Sequence, residues 1–194
     1  RQIYGNFEVD DDPRVLCEYD KILDIFTNTF VTDRNAQMYL TADIASENDK
    51  FIVCIWRGWE MIFIHIVDNK IAKSKTDGRN ITETIGELAF RFQVPVSNIP
   101  FDSSGYGVYL RGYYKNAKPF VSGARPLEQM GDDETQDPKE YYKNIKSQCY
   151  FYLARKINSS EIYISAKIDE NYKTCMIEEL SAIKDHTYGT DQKK

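Results

Sequence analysis

Residues Gln37 to Val67 read QMYLTADIASENDKFIVCIWRGWEMIFIHIV, and this stretch decides the fold. Gln37 to Asp43 (QMYLTAD) has β character. Phe51 to Trp56 (FIVCIW) is apolar and rich in β-branched and aromatic residues, as a buried strand requires. Arg57-Gly58 reads as a turn, and Trp59 to Val67 (WEMIFIHIV) as a third strand. Three strands this close, joined by short connections, predict an antiparallel meander.

Working outward, Asp12-Pro13 carries a helix-start signal. Val15, Leu16, Tyr19, Ile22, Leu23 and Phe26 follow at helical spacing, which predicts a helix over 13–26. Beyond the meander, Asn80-Ile81-Thr82-Glu83 fits a capping box, with Asn80 as N-cap. Ile81, Ile85, Leu88 and Phe92 line one face of the helix it would open, and Pro95 would end it. Then come a strand over 96–101, a short helix over 104–114 and a strand over 118–122. Residues 123–137 read as loop, and Pro138 as the start of a long helix striped by Tyr142, Ile145, Cys149, Tyr152, Leu153 and Ile157. A strand over 161–168, a helix over 171–184 and a polar tail from Thr187 with nothing to pack complete the chain. Strands alternating with helices after the meander predict crossovers, hence parallel pairing on the same sheet. The expected class is α/β. It is a ribonuclease H-like mixed sheet, an antiparallel three-strand meander plus parallel strands, flanked by helices.

The 194 residues are 42% hydrophobic and 13% aromatic, enough for one domain with a real core and too apolar for a disordered chain. No apolar run reaches the roughly 20 residues that span a bilayer, so no membrane role is expected. Cys17, Cys54, Cys149 and Cys175 are far apart, with no CxxC pair and only two histidines. That excludes a structural zinc site and suits a reduced, cytosolic chain. With 25 Lys and Arg against 30 Asp and Glu, the charge of −5 argues against a protein that simply coats nucleic acid. It does not exclude an enzyme acting on nucleic acid. The chain opens on Arg1 without Met and closes on Asp191-Gln192-Lys193-Lys194, so both ends read as cut from something longer.

Two aspartates stand apart. Asp43 ends the first strand (YLTAD), and Asp102 ends the fourth (NIPFD). In the expected topology these strands lie side by side, which brings the carboxylates together. Adjacent carboxylates repel unless a cation sits between them, and oxygen donors favour a hard ion, Mg²⁺ or Mn²⁺. Two such ions can clamp a phosphodiester. The competing reading is that both are ordinary loop or cap aspartates. Asp49, in the loop beside Asp43, is a candidate outer ligand or a plain turn acid. Ser103 to Gly107 reads as a flexible strand-to-helix turn, with phosphate binding at a helix start as the alternative, and Gly131 to Glu134 as a solvated acidic loop, with cation binding as the alternative. His65 and His186 have no Ser or Cys partner that would make a catalytic pair. Lys115, Lys118, Arg125, Lys143, Lys146, Arg155 and Lys156 follow Asp102 and read equally as a face for a phosphate backbone or as solvated helix faces.

At these motifs the sequence resembles the C-terminal nuclease domain of the large terminase subunit of tailed bacteriophages. Tyr4-Gly5-Asn6-Phe7-Glu8 resembles the segment that follows the motor domain of that family. Tyr39 to Ala45, with Asp49-Lys50 and the Trp56-Arg57-Gly58 turn, resembles its first acidic motif, and Asp102 to Gly107 its second. The Tyr-rich segment with Tyr142 and Asn144 resembles the stretch between the second and third motifs. The resemblance implies a two-metal nuclease that cuts concatemeric double-stranded DNA, with Asp43 and Asp102 as catalytic metal ligands. It also implies a motor domain in cis, partnership with the portal protein and the small terminase subunit, and a place in the host bacterial cytoplasm. Residues 1–30 would then be a linker and helix after the motor domain, 31–186 the nuclease domain and 187–194 a tail. The third acid of the family lies in a Gly-Arg-Ser-Pro-Asp-like segment after a Lys-rich stretch, and this chain stops where that stretch would begin. Asp185 and Asp191 are substitutes whose surroundings do not match that motif, so these residues alone are expected to cut weakly. The alternatives are a resolvase- or transposase-type nuclease and a non-catalytic module that docks on DNA or portal.

Overall fold

The computed structural model describes residues 12–44, 50–68, 79–102, 112–130 and 141–189. Six strands form one mixed sheet: β1 (Met38–Ile44), β2 (Lys50–Arg57), β3 (Glu60–Asp68), β4 (Pro100–Asp102), β5 (Lys118–Phe120) and β6 (Tyr163–Ile164). Their order is β5-β4-β1-β2-β3-β6. The meander β1-β2-β3 is antiparallel, whereas β4 runs parallel to β1, β5 to β4 and β6 to β3. Among the described residues the sheet is flanked by helices α1 (Tyr19–Asp24), α2 (Arg79–Arg91), α3 (Ile145–Asn158) and α4 (Glu170–Ser181). This is the ribonuclease H-like α/β arrangement that the strand order implies.

Alternation along the strands divides the core in two. Leu40 and Ala42 of β1, Phe51, Val53 and Ile55 of β2, and Phe101 of β4 meet Ile81, Ile85, Leu88 and Ala89 of α2. On the opposite face Met61 and Ile164 join Ile22 and Ile25 from α1 and its end, Ala154 and Ile157 from α3, and the half-buried Met176, Ile177 and Leu180 of α4. The β2–β3 connection is a two-residue turn with Gly58 at φ +57°. A Cβ there would come within 3.0 Å of Ala36 Cβ, so glycine is required twice over, by conformation and by space.

Several elements depart from the sequence expectation. The helix expected over 13–26 begins only at Tyr19. Asp12 does not cap it, because its carboxylate accepts from Arg14 and Lys184, and the backbone of Val15 and Leu16 pairs with Lys184 and Ile183. Helix α2 is already under way at Arg79, so Asn80 lies within it and is not its N-cap. It ends at Arg91, ahead of Pro95, where Gln93 turns to φ +55° and the Val94 N–H reaches back to the Ala89 carbonyl. Residues 96–98 form a 3₁₀ turn, which leaves only three residues for β4.

The long helix starts at Ile145, not Pro138. Asn144 caps it, and Ser147 completes the capping box. Of the strand expected over 161–168, only two residues pair with β3. Helix α4 stops at Ser181, three residues before Lys184 joins Val15. Thr187 is not loose tail, for its N–H and hydroxyl both donate to Asp185. Of the helix expected over 104–114, Gly112 and Tyr113 are helical and 104–111 lie outside the described residues. So do Asp49, Asp191, the Ser103 to Gly107 turn and the Gly131 to Glu134 loop.

Candidate functional site

Parallel strands β1 and β4 are in register at Ala42 and Phe101. One residue further along each, Asp43 and Asp102 stand beside one another at the carboxyl ends of neighbouring strands, which lie about 4.8 Å apart. Ala42 and Phe101 are buried in the cluster against α2. Side chains alternate, so both aspartates belong to the opposite face, and both are exposed. Behind Asp43 on that face, the Trp56 indole donates to the Thr41 hydroxyl at 3.1 Å. Burial pushes the neighbouring Cys54 thiol up to about 11; a hydrogen bond with Thr41 works against this, and the Asp43 charge adds to it. Burial thus favours the neutral thiol of Cys54.

The next strand extends the site. Phe120 of β5 lies in register with Asp102, and the chain leaves the sheet there. It docks at once on the start of α3: the Lys146 and Ile145 N–H groups donate to the Ser122 and Ala124 carbonyls, at 3.3 and 2.8 Å. Arg125, Lys143 and Lys146, all exposed, therefore belong to the segment that leaves β5 beside the Asp102 end of β4 and to the start of α3 tied to it. The other cations do not join them. Lys118 opens β5 beside Pro100, with Lys115 before it, at the far end of that strand. Arg155 and Lys156 sit in the last turn of α3, where Lys156 pairs with Glu161 and lies over the Trp59 ring.

Asp185 is buried, with its backbone N–H on the Arg14 carbonyl and its Oδ1 accepting from Thr187. Together with Asn144, Lys146, Ser147 and His186 it lines a cavity of about 440 Å³ at the start of α3. Among the described residues, no three His, Cys, Asp or Glu side chains converge as a metal site. His65 lies within β3, half-buried. One contributor escaped the sequence reading. Gln148 sits in the stripe between Ile145 and Tyr152 and is almost wholly buried. A lone amide in an apolar stripe is the signal that marks it, since a buried amide must find partners.

No family model matches the sequence, and no curated protein matches it. Solved structures do. The nuclease domain of the large terminase subunit gp2 of bacterial virus Sf6 superposes with a TM-score of 0.62 at 14% identity, over 86% of this chain and 81% of that one. A mutant of that domain with manganese and beta-thujaplicinol gives 0.64 at 13% identity, over the same shares. A mutant with calcium, from bacteriophage Sf6, gives 0.62 at 15%. At this level of identity the likeness is one of fold.

Proposed function

We propose, from the fold shared with the Sf6 nuclease domain and the pairing of Asp43 with Asp102, that this chain is the nuclease domain of a phage DNA-packaging terminase. Its substrate is concatemeric double-stranded DNA, and its reaction is hydrolysis of phosphodiesters. The single observation that carries the reading is the β1–β4 register, which sets two exposed carboxylates side by side at the carboxyl ends of adjacent strands. Like charges so placed repel, and a divalent cation between them removes the cost. Four carboxylate oxygens are hard donors, so the donor set fits Mg²⁺ or Mn²⁺ and not a thiophilic metal. That solved relatives of the fold carry manganese and calcium supports the same choice.

Asp43 and Asp102 would hold the metal, as a pair of ions in the reading we favour. When bound, such ions supply an activated water and charge neutralisation at the leaving oxygen. The chain's own part is to present both carboxylates on neighbouring strand ends, at one edge of the sheet. Arg125, Lys143 and Lys146 supply positive charge beside them. The terminase reading brings with it a motor domain in the same polypeptide, the portal and small terminase subunit as partners, and action in the host cytoplasm.

The test is nicking of supercoiled plasmid in Mn²⁺. Asp43→Asn and Asp102→Asn are each expected to lower the rate by at least 100-fold while leaving the melting temperature unchanged or higher, because each removes one of two repelling charges. Unchanged cutting by the Asp43→Asn protein refutes the assignment.

A further inference from the structure

The segment between β5 and α3 carries Arg125, and its geometry is set by one buried side chain. Gln148 is 1% exposed. Its Oε1 accepts from the Leu127 N–H at 2.8 Å, and its Nε2 donates to the Leu127 carbonyl at 3.0 Å. The amide thus imitates one rung of a β-ladder and takes both polar groups of that residue. Three residues upstream, Ala124 accepts from the Ile145 N–H, and Ser122 accepts from Lys146. The segment is tied to the first turn of α3 on both sides of Arg125.

These ties have a second effect. Every N–H of the first turn of α3 is occupied: Ile145 by Ala124, Lys146 by Ser122, Ser147 by the Asn144 side chain and Gln148 by the Asn144 carbonyl. The helix start offers no free amide to an anion, so an anion here must be held by side chains. Arg125, Lys143 and Lys146 are exposed, and each lies next to an anchored or capping residue, Ala124, Asn144 and Ile145. Phe120, at the root of the segment, is in register with Asp102.

We propose that Arg125, Lys143 and Lys146 form one phosphate-backbone grip for duplex DNA, and that Gln148 is the positioning residue that builds it by fixing the Arg125 segment to α3. This rests on the nuclease reading only in taking DNA phosphates as the ligand. Lys115, Lys118, Arg155 and Lys156 are not part of the grip.

The experiment measures affinity for a labelled DNA duplex of about 30 base pairs across a salt series in EDTA, so that cleavage plays no part. Each phosphate contact contributes about one unit to the slope of log affinity against log salt. Arg125→Ala is expected to lower the slope by about one. Gln148→Leu, which changes no charge, is expected to lower it by about one as well, and the double variant no further. Lys118→Ala leaves the slope unaltered. A slope unchanged by Arg125→Ala overturns the proposal, as does a folded Gln148→Leu protein with the native slope. Should Gln148→Leu fail to fold, Gln148→Met and Arg125→Ala decide in the same way. A protein that shows this slope pattern but never cuts in Mn²⁺ keeps the grip and loses the nuclease reading.

Discussion

Glu60 shows how much one residue can carry away from the candidate site. It is 3% exposed, at the start of β3. Burial alone would raise its pKa, but hydrogen bonds from Arg57 and Ser165, a further one with Thr32 and the Arg57 charge outweigh it and leave the carboxyl below its ordinary value. A carboxylate with a depressed folded pKa stabilises the fold above its unfolded pKa, and the contribution is lost as pH falls through the folded one. Glu60→Gln is therefore expected to cost about 1–3 kcal/mol near neutral pH, since it takes the charged partner from the half-buried Arg57. The cost should shrink in acid melts, where the wild-type side chain is itself protonated. Equal melting temperatures for the two proteins at pH 7 would show that the pair contributes nothing. None of this was legible in sequence, where Glu60 was one acid among thirty; its partners Thr32 and Ser165 come from distant parts of the chain.

At the scale of elements, the positions that break local rules give the clearest expectations. Gly58→Ala should destabilise by about 1–2 kcal/mol, from the left-handed backbone and the Ala36 contact together. Gln93 is a non-glycine residue at φ +55°, exposed, at the end of α2. Gln93→Gly should raise stability by about 0.5–1 kcal/mol in urea melts, because glycine adopts that conformation without a Cβ clash. A loss of stability would mean that entropy regained by the unfolded chain outweighs relieved strain. The meander was readable for a related reason: long, uninterrupted β-branched runs and a Gly turn are local signals. The helix starts were not. Asp12-Pro13 and Asn80 have the chemistry of caps, but Asp12 is claimed by Lys184 from the far end of the chain. The true cap of α3, Asn144, was hidden behind the stronger signal of Pro138.

For the whole molecule, the two ends of the described chain are joined. The Arg14 and Leu16 backbone pairs with Asp185 and Ile183 across an antiparallel bridge. Asp12 locks it, accepting from Arg14 at 2.8 Å and from Lys184 at 2.9 Å. The hydrogen bonds from Arg14 and then Lys184 hold the Asp12 carboxyl well below the usual carboxylate range. The sign is again that of a depressed acid: the lock is complete above pH about 4 and weakens as pH falls below it. Hydrogen exchange at the Leu16 and Asp185 amides should therefore accelerate in Asp12→Asn at pH 7, and the difference from wild type should narrow towards pH 3. Equal protection in both proteins at pH 7 would leave the lock without effect.

The fold class was legible in consecutive residues, and so was the placing of Asp43 and Asp102 at strand ends. Apolar periodicity marks each strand of the meander, and an aspartate directly after an apolar run marks a strand end. Both are properties of consecutive residues. The expected topology already set the strands of Asp43 and Asp102 side by side; it took the tertiary structure to fix the register, Ala42 against Phe101, that puts both residues on one face. The fold also divides the cations that follow Asp102: Arg125, Lys143 and Lys146 go with the carboxyl end of β5 and the start of α3, and Lys115, Lys118, Arg155 and Lys156 with their opposite ends. Register, helix direction and the buried Gln148 anchor made that division. Each depends on residues far apart in the chain, and no local pattern encodes it.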